Sequence, residues 1–479
     1  MQEQNSSRTL VMKFGGTSVG SADALSRAAA IIREARRDWP RVVVVTSAMS
    51  GVTDLLLHSA AQAAHGNLDA LREAETILRE KHATAANAVI ADGKLREATL
   101  AEINALIRTL GELCKAIARQ GHSSFQALDA VASLGERMSV RLLGATAVSA
   151  GIRAKAVESA ELIVTNANFQ NAHPDFEATT EKTRRVLNPL LDAGLVPITT
   201  GFIGATPDGV ITTLGRGGSD YSAAILGAVL PADDVWIWTD VDGVMTTDPR
   251  IVPEARTLSE ITYSEVAEIA YYGAKVLHPK TIRPVVAAGI GLRICNTFNP
   301  AHPGTRLIAN SPDDLKPRNG GQVVKAVTAI RRQRLITIEG RGMIGVPGVA
   351  ARAFAAVAST DTSVPLITQA SSEQSICFAV PSESAAAVVA ALQEVFAHEL
   401  ADDDIDRIWM TEDVSIITAV GVGMRHTPGV AGQVFTQLGR KNANVLAIAQ
   451  GSSEVSISMV VAAADTELAV RALHELIVK

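Results

Sequence analysis

The sequence has few of the residues that mark several large classes of protein. Its three cysteines, Cys114, Cys295 and Cys377, are scattered along 479 residues and are odd in number. Such cysteines indicate a reducing compartment and suit neither a disulfide framework nor a zinc site. Aromatic residues make up only 4% of the chain, so the platforms on which proteins stack unpaired bases are scarce.

An excess of positive charge and long apolar segments are also absent from the sequence. The formal net charge is −6, which argues against nucleic acid as a partner. No window reaches the ~18 uninterrupted apolar residues of a membrane helix. The N-terminal segment MQEQNSSRTL has neither the basic start nor the apolar run of a signal peptide. We therefore expect a cytoplasmic protein with no membrane partner.

What the chain does have is an alternation of strands and helices. Short apolar segments bounded by turn residues predict five strands, Leu10–Phe14, Val42–Thr46, Val196–Gly201, Val210–Thr213 and Val235–Thr239. Between Val52 and Ala150 the spacing is helical, with breaks at Gly66, Gly93 and Gly121. The pattern predicts an α/β domain, a three-layer sandwich with a large helical insertion.

An internal repeat occupies the C-terminal third of the chain. GRGMIGVPGVAARAF begins at Gly340 and the related GVGMRHTPGVAGQVF begins at Gly421, an offset of 81 residues. QASSEQSI from Gln369 matches QGSSEVSI from Gln450 at the same offset. Two matches at one offset indicate a duplicated module. Each copy reads strand, turn, helix, strand, strand, helix, which is typical of a ferredoxin-like βαββαβ unit.

The domain boundaries follow from this repeat and from one linker. NSPDDLKPRNGGQ, residues 310–322, contains two prolines and a Gly-Gly pair and predicts a linker. The second module lacks its last strand, so we expect VVKAVTAI, residues 323–330, to cross over and supply it. The predicted parts are a domain over 9–309, a first module over 332–400 inserted into the second, and a second module formed by 323–331 plus 401–479.

Two glycine loops suggest a site for an anion. VMKFGGTSVGS reads as a strand that breaks at Gly15-Gly16, with Lys13 just before the turn. TTLGRGGSDYSAA places Arg216 among glycines before an apolar helix, whose N-terminal amides favour an anion. Ser219 or Asp220 could instead simply cap that helix. The P-loop consensus is absent, so a phosphate site would be built differently.

Three further motifs carry polar residues. WTDVDGVMTTDPRIV holds Asp240 and Arg250 after a strand, and acids beside a phosphate site could orient a nucleotide or magnesium. GAKVLHPKT offers Lys275. SLGERMSVRLL places Glu136 at the predicted head of a helix, where its charge could alternatively serve only the helix dipole.

In this order, the motifs KFGGTSV, SLGERMS, TTLGRGGSDYSAA, TTDPR and GAKVLHP resemble the aspartate kinases of the amino-acid kinase superfamily. The duplicated modules resemble the ACT regulatory domains of that family. The resemblance implies an amino-acid kinase sandwich followed by two ACT domains. It also implies transfer of the γ-phosphate of ATP to the side-chain carboxylate of L-aspartate, with Mg²⁺ as cofactor. The product, 4-phospho-L-aspartate, would enter lysine, threonine and methionine synthesis.

The resemblance assigns roles to individual residues. The catalytic residues would be Lys13 and Asp220. Aspartate would be held by Ser47, Thr53, Glu136, Arg216, Gly217, Gly218 and Ser219. ATP would be held by Lys13, Gly15, Gly16, Thr17, Ser18, Thr239, Asp240, Arg250 and Lys275. Met245 stands where the family usually has a tyrosine beside the nucleotide.

The implied chemistry needs no general base. A carboxylate with a pKa near ~4 is already ionised at pH 7, so catalysis would depend on positioning and on cancelling the repulsion between two anions. Arg216 would pair with the α-carboxylate of aspartate, and Glu136 with Asp220 would take the ammonium group.

The modules look like those of threonine-sensitive aspartate kinases, which are usually fused to homoserine dehydrogenase. No dehydrogenase follows Lys479, so we expect a monofunctional kinase. Threonine is favoured over lysine as feedback inhibitor, with Gln369 and Gln450 as contacts, although both could serve only as turn-side hydrogen bonders. A homo-oligomer through the ACT domains is expected. A non-catalytic amino-acid sensor and a kinase of glutamate or UMP are the alternatives.

Overall fold

The structure is a computed structural model, and it describes residues 8–271, 277, 279–309, 323–343, 346–369, 374–424, 427–451 and 455–478. The predicted linker, 310–322, lies outside these residues. Contacts divide the chain into two compact units. The first unit comprises Met1–Val244, Ser259–Tyr263 and Val276–Ala309, and the second comprises Met245–Leu258, Ser264–Lys275 and Asn310–Lys479.

An eight-stranded sheet forms the centre of the first unit, in the order β3-β4-β2-β1-β7-β9-β10-β8. The strands are β1 (Thr9–Phe14), β2 (Arg41–Thr46), β3 (Ala154–Val157), β4 (Val196–Thr200), β7 (Asp234–Thr239), β8 (Glu260–Thr262), β9 (Gly291–Asn296) and β10 (Thr305–Ile308). Neighbouring strands are parallel except β9 and β10. A separate antiparallel pair consists of β5 (Ile203–Ala205) and β6 (Ile211–Thr213).

Helices cover the sheet because its central strands are apolar on both faces. All six residues of β1 are buried, as are five of the six in β2, and such strands need cover on each side. The helices of the first unit are α1 (Ala22–Asp38), α2 (Val52–Ala64), α3 (Asp69–Val89), α4 (Gly93–Gln120), α5 (Phe125–Ser149), α6 (Phe176–Asp192), α7 (Gly218–Val229) and α9 (Pro279–Ala288).

The five strands predicted from the sequence are confirmed as β1, β2, β4, β6 and β7. The predicted helical breaks are also confirmed. Gly66 and Gly121 adopt left-handed conformations with φ of 78° and 71°, and α4 begins at Gly93 after an Asp92 cap. The α/β class is therefore correct, whereas β3, β5, β8, β9 and β10 were not predicted.

The second unit contains a seven-stranded antiparallel sheet, in the order β12-β13-β11-β15-β17-β16, with β14 also paired to β11. Its strands are β11 (Ala326–Glu339), β12 (Leu366–Gln369), β13 (Ser375–Pro381), β14 (Arg407–Met410), β15 (Val414–Val420), β16 (Ala447–Ala449) and β17 (Ser456–Ala462). Its helices are α8 (Tyr263–Tyr271, from Ser264 onward), α10 (Val349–Ser359), α11 (Ala385–Val395), α12 (Ala397–Ala401), α13 (Val430–Arg440) and α14 (Thr466–Val478).

The long strand β11 serves both modules. Its first part, Ala326–Ile330, pairs with β15, and its later part, from Gln333, pairs with β13. The register shifts between these parts, where Arg332 has a left-handed φ of 58°. Each module thus repeats the predicted strand–helix–strand–strand–helix order. The numerical domain boundaries given above stay a prediction.

Candidate active site

A buried ion pair joins the central strand to a helix start in the first unit. Lys13 lies near the end of β1 and is 8% exposed. Its Nζ is 2.6 Å from Oδ1 of Asp220, which belongs to the first turn of α7. Burial weakens the screening of both charges, so the pair is held together more strongly than it would be at the surface.

The turn after β1 is fixed by backbone hydrogen bonds. The amide of Gly15 donates to the carbonyl of Trp238 at 3.0 Å, and the carbonyl of Gly16 accepts from the amide of Ser50 at 3.1 Å. A Cβ on Gly16 would lie 3.0 Å from the carbonyl oxygen of Ala48, so the close approach favours glycine there.

Ser18 faces inward from the short 3₁₀ turn Thr17–Val19. Its hydroxyl donates to the carbonyl of Trp238 at 3.2 Å and accepts from the hydroxyl of Thr297 at 2.7 Å. These bonds support the turn from beneath.

The structure corrects the placement of Glu136 at the head of a helix. Helix α5 begins eleven residues earlier, at Phe125, after a Ser124 cap, so the helix-dipole explanation fails. Gly135 lies inside this helix, where a Cβ would lie 2.8 Å from the Cβ of Ala48, so close packing favours glycine there.

Glu136 is the acid of the cavity whose burial is least compensated. Burial raises its pKa to about 8, against the opposing effect of a hydrogen bond from the Ala48 amide. Its Oε2 atom is buried and has no hydrogen-bond partner among the described residues. A buried acceptor without a partner costs free energy, and an incoming cationic or N–H group would satisfy it.

The second glycine loop connects β6 to α7. Gly215 and Gly217 take left-handed φ angles of 78° and 69°, and Gly217 occupies the N-cap position of α7. A Cβ on Gly218 would lie 2.5 Å from the ring of Phe202. Arg216 is exposed between these glycines, so its guanidinium is presented by a tightly constrained backbone.

The Lys13–Asp220 pair, Glu136 and the second glycine loop line one cavity of about 860 Å³ in the first unit. The cavity brings together ten of the residues assigned from the sequence, Lys13, Gly16, Ser47, Thr53, Glu136, Arg216, Gly217, Gly218, Ser219 and Asp220. Gly15, Thr17, Ser18, Thr239 and Asp240 belong to the same unit but are not among its lining residues.

The other residues assigned to ATP are placed as follows. Thr239 donates its hydroxyl to Asp240 at 3.2 Å near the end of β7. Arg250 belongs to the second unit, where its guanidinium lies 2.7 Å from Asp248 and holds the pKa of that carboxyl below its usual value. Lys275 lies outside the described residues.

The lining residues that were not assigned from the sequence include Asp129, Gln170 and Phe202. A usable signal existed for Asp129. It precedes Glu136 by seven residues within one helix, which places both acids on the same face. Nothing in the sequence around Gln170 or Phe202 marked either residue.

The described residues contain no group of three or more His, Cys, Asp or Glu side chains that could hold a metal ion. Among the same residues, no helix combines the length and the apolarity needed to cross a membrane.

The family follows from comparison with known proteins. A model of the amino acid kinase family matches residues 8–296, and a model of the ACT domain matches residues 336–396 and 417–476. The chain therefore belongs to the amino acid kinase family and carries a pair of ACT domains.

Within that family the similarity is to aspartate kinases. The chain is 38% identical to bifunctional aspartokinase/homoserine dehydrogenase 2 of Arabidopsis thaliana, over 97% of this chain and 50% of the relative. It is 33% identical to the lysine-sensitive aspartokinase 3 of Escherichia coli, over 98% of this chain and 99% of the relative. The chain spans about half the length of the bifunctional plant relatives it matches.

Solved structures agree with this similarity. Aspartokinase III of E. coli, crystallised with aspartate and ADP, superposes with a TM-score of 0.79 at 31% identity, over 98% of this chain and 100% of that one. Its complex with lysine and aspartate gives the same values. The predicted kinase sandwich followed by two ACT domains is thereby confirmed.

Proposed function

We propose that this chain transfers the γ-phosphate of ATP to the side-chain carboxylate of L-aspartate, giving 4-phospho-L-aspartate. The observation that carries the proposal is the cavity of the first unit. It presents a buried Lys13–Asp220 pair, an exposed Arg216 and a buried, unpartnered oxygen of Glu136. An amino acid with two carboxylates and one ammonium group complements this set of charges.

The reacting carboxylate needs charge cancellation more than deprotonation. It is ionised at neutral pH and must approach a polyphosphate of the same sign. Lys13 supplies the cancelling charge, and Asp220 holds its Nζ in place at 2.6 Å. The amides of the Gly15–Thr17 turn assist as fixed donors that need no reorganisation.

The α-carboxylate and the ammonium group of aspartate are each held by a side chain of opposite charge. Arg216 receives the α-carboxylate as a two-pronged donor, beside Gly217, Gly218 and Ser219. Glu136, together with Asp220, receives the ammonium group, which satisfies the buried oxygen of Glu136. The small hydroxyl residues Ser47 and Thr53 complete the pocket.

The nucleotide assignments remain part of the proposal. They are Thr239, Asp240, Arg250 and Lys275, together with the Gly15–Ser18 turn. Magnesium, which favours oxygen ligands and phosphates, would enter bound to ATP. The solved relative with ADP and aspartate supports the choice of adenine nucleotide.

We also propose feedback by an amino acid, with threonine favoured over lysine, in a homo-oligomer formed through the ACT domains. Strands β12 and β16 of the two modules lie against each other. Gln369 ends β12 and Gln450 follows β16, and both side chains are exposed. Inhibition titrations with threonine and lysine test this regulation, and insensitivity to both would contradict it.

The proposed reaction is tested by trapping its product. Purified chain with ATP and magnesium is offered aspartate, glutamate or UMP, with hydroxylamine present to capture an acyl phosphate. We expect a hydroxamate with aspartate alone. Turnover of glutamate or UMP instead would identify a different kinase of the family, and no turnover with any substrate would favour a non-catalytic sensor.

A further inference from the structure

One buried acid in the cavity wall has no place in the mechanism above. Asp129 is 1% exposed and lies on α5, on the same face as Glu136. Its Oδ1 accepts from the hydroxyl of Thr213 at 2.8 Å, and its Oδ2 accepts from the amide of Thr213 at 2.8 Å. The backbone amide nitrogen of Gln170 lies 3.1 Å from Oδ1 and 3.0 Å from Oδ2 of Asp129 and donates to both.

These hydrogen bonds indicate that Asp129 binds other parts of the protein and does not bind the substrate. Each carboxylate oxygen already accepts from two donors, so little capacity remains for a ligand. Burial raises the pKa of Asp129, and the hydrogen bonds from Gln170 and Thr213 act in the opposite direction. The carboxylate therefore holds together, by hydrogen bonds, the segments around Gln170 and Thr213, which are distant from it in sequence.

The segments around Gln170 and Thr213 both line the part of the cavity that contains Arg216. Gln170 has a left-handed φ of 65°, a conformation that a non-glycine residue keeps only when its surroundings hold it there. Thr213 is the last residue of β6, three positions before Arg216.

The two segments also pack backbone to backbone. The amide of Ala172 donates to the carbonyl of Thr213 at 2.9 Å. A Cβ on Gly215 would lie 2.8 Å from the carbonyl oxygen of Gln170. Gly215 immediately precedes Arg216, so a shift of Gln170 or Thr213 would move the base of the guanidinium side chain.

We propose that Asp129 is a positioning residue: by binding Thr213 and Gln170 at once, it fixes the loop that presents Arg216 to the α-carboxylate of aspartate. The inference rests on the proposed role of Arg216 in aspartate binding. Holding a two-pronged donor at the right angle matters because small misplacements cost much of its binding energy.

Asp129→Asn tests the proposal with little change in shape. The amide group would turn a donor toward the donors of Thr213 or Gln170, which loosens the loop. We expect KM for aspartate to rise at least ~10-fold, with kcat lowered less than ~3-fold and KM for ATP within ~2-fold. Asp175→Asn, at the cap of α6, is the matched control and should change none of these values.

A double-mutant cycle with Arg216→Ala separates positioning from general damage. If Asp129 acts through Arg216, Asp129→Asn should raise KM for aspartate less than ~2-fold once Arg216 is gone. An equal rise in both backgrounds, or no rise in either, would overturn the proposal.

Isothermal titration calorimetry measures the affinity for aspartate in the same four proteins, the unaltered chain, both single variants and the double variant, without requiring turnover. A chain that binds aspartate without turnover would refute the proposed reaction and still test Asp129. A chain that binds no aspartate would refute both. If Asp129→Asn does not fold, Thr213→Val removes only the hydroxyl donor, and a smaller rise in KM that vanishes with Arg216→Ala is then expected.

Discussion

Asp220 and Glu136 line the same cavity, but their carboxyl groups have opposite electrostatic surroundings. Oδ1 of Asp220 lies 2.6 Å from the ammonium group of Lys13, so its charge is paired before any ligand arrives, although that oxygen makes no hydrogen bond of good geometry. Glu136 is fully enclosed, has an unpartnered oxygen, and has its pKa raised to about 8 by burial. The half of the cavity around Asp220 therefore has its charges paired and is called complete below, whereas the half around Glu136 is called incomplete.

In the proposed reaction, this difference separates an element that cancels charge from an element that recognises the substrate. Preorganised charges stabilise a transition state without further rearrangement, which suits the Lys13–Asp220 pair. An unpartnered buried acid destabilises the empty site and is satisfied by a cationic group of the substrate. The predictions below perturb first the complete half and then the incomplete one.

The largest effect is expected from Lys13→Ala. Removing the ammonium group leaves the repulsion between aspartate and the phosphates uncancelled, and a single such contact is worth ~3–4 kcal/mol. We predict that kcat falls at least ~100-fold in the ADP-coupled assay. Lys94→Ala, at an exposed position of α4, should leave kcat unchanged.

The Lys13→Ala variant also needs a check on folding, because it leaves Asp220 partly buried without its partner. Circular dichroism and aspartate titration supply that check. A folded variant with near-normal turnover would remove Lys13 from the mechanism.

Arg216→Lys should produce the next largest effect, at the incomplete half of the cavity. The substitution keeps the positive charge and loses the planar fork. We predict that KM for aspartate rises roughly 10- to 30-fold, the scale of one charged hydrogen bond, while KM for ATP is unchanged. Steady-state titration of both substrates measures this, and an unaltered KM for aspartate would contradict the assignment.

A smaller effect should appear as a pH dependence. With a pKa of about 8, Glu136 is mostly protonated at pH 7 in the empty site, whereas an ammonium group binds its ionised form. KM for aspartate should therefore fall as pH rises, by roughly eight-fold between pH 7 and 8.5. Glu136→Gln cannot ionise, so it should bind aspartate weakly and show no such trend. A flat profile in the unaltered chain would show that Glu136 is ionised before binding.

The sequence predicted the parts of this cavity that depend on local patterns. The apolar segments of β1, β2 and β7 and the glycine turns at Gly15 and Gly217 are visible in the order of residues alone. The repeat likewise predicted a duplicated ferredoxin-like module, and the family resemblance identified it as an ACT domain. The short strands β3 and β8 were not predicted, because three or four residues are too few to show the alternation of apolar and polar residues that marks a strand.

The parts that depend on tertiary packing were missed or misplaced. Glu136 was predicted at the head of a helix, although α5 begins eleven residues earlier, at Phe125. The spacing of Asp129 from Glu136 marks a shared helix face, but the sequence does not reveal its partners Thr213 and Gln170, which lie far away along the chain. Only the three-dimensional structure shows which polar residues of a helix are buried.

The smallest effect should be on stability, and it goes in the opposite direction to the loss of function. The folded state raises the pKa of Glu136 from 4.5 to about 8, so it favours the protonated acid, and this favourable contribution is lost as pH rises through that interval. Glu136→Gln stays neutral, so without ligand it should melt about 2–4 °C higher than the unaltered chain at pH 8 and nearly equally at pH 4.5. Differential scanning calorimetry measures both, with the exposed Glu97→Gln of α4 as control. A variant less stable at pH 8 would mean that Glu136 already has a favourable partner, and the contrast with Asp220 would disappear.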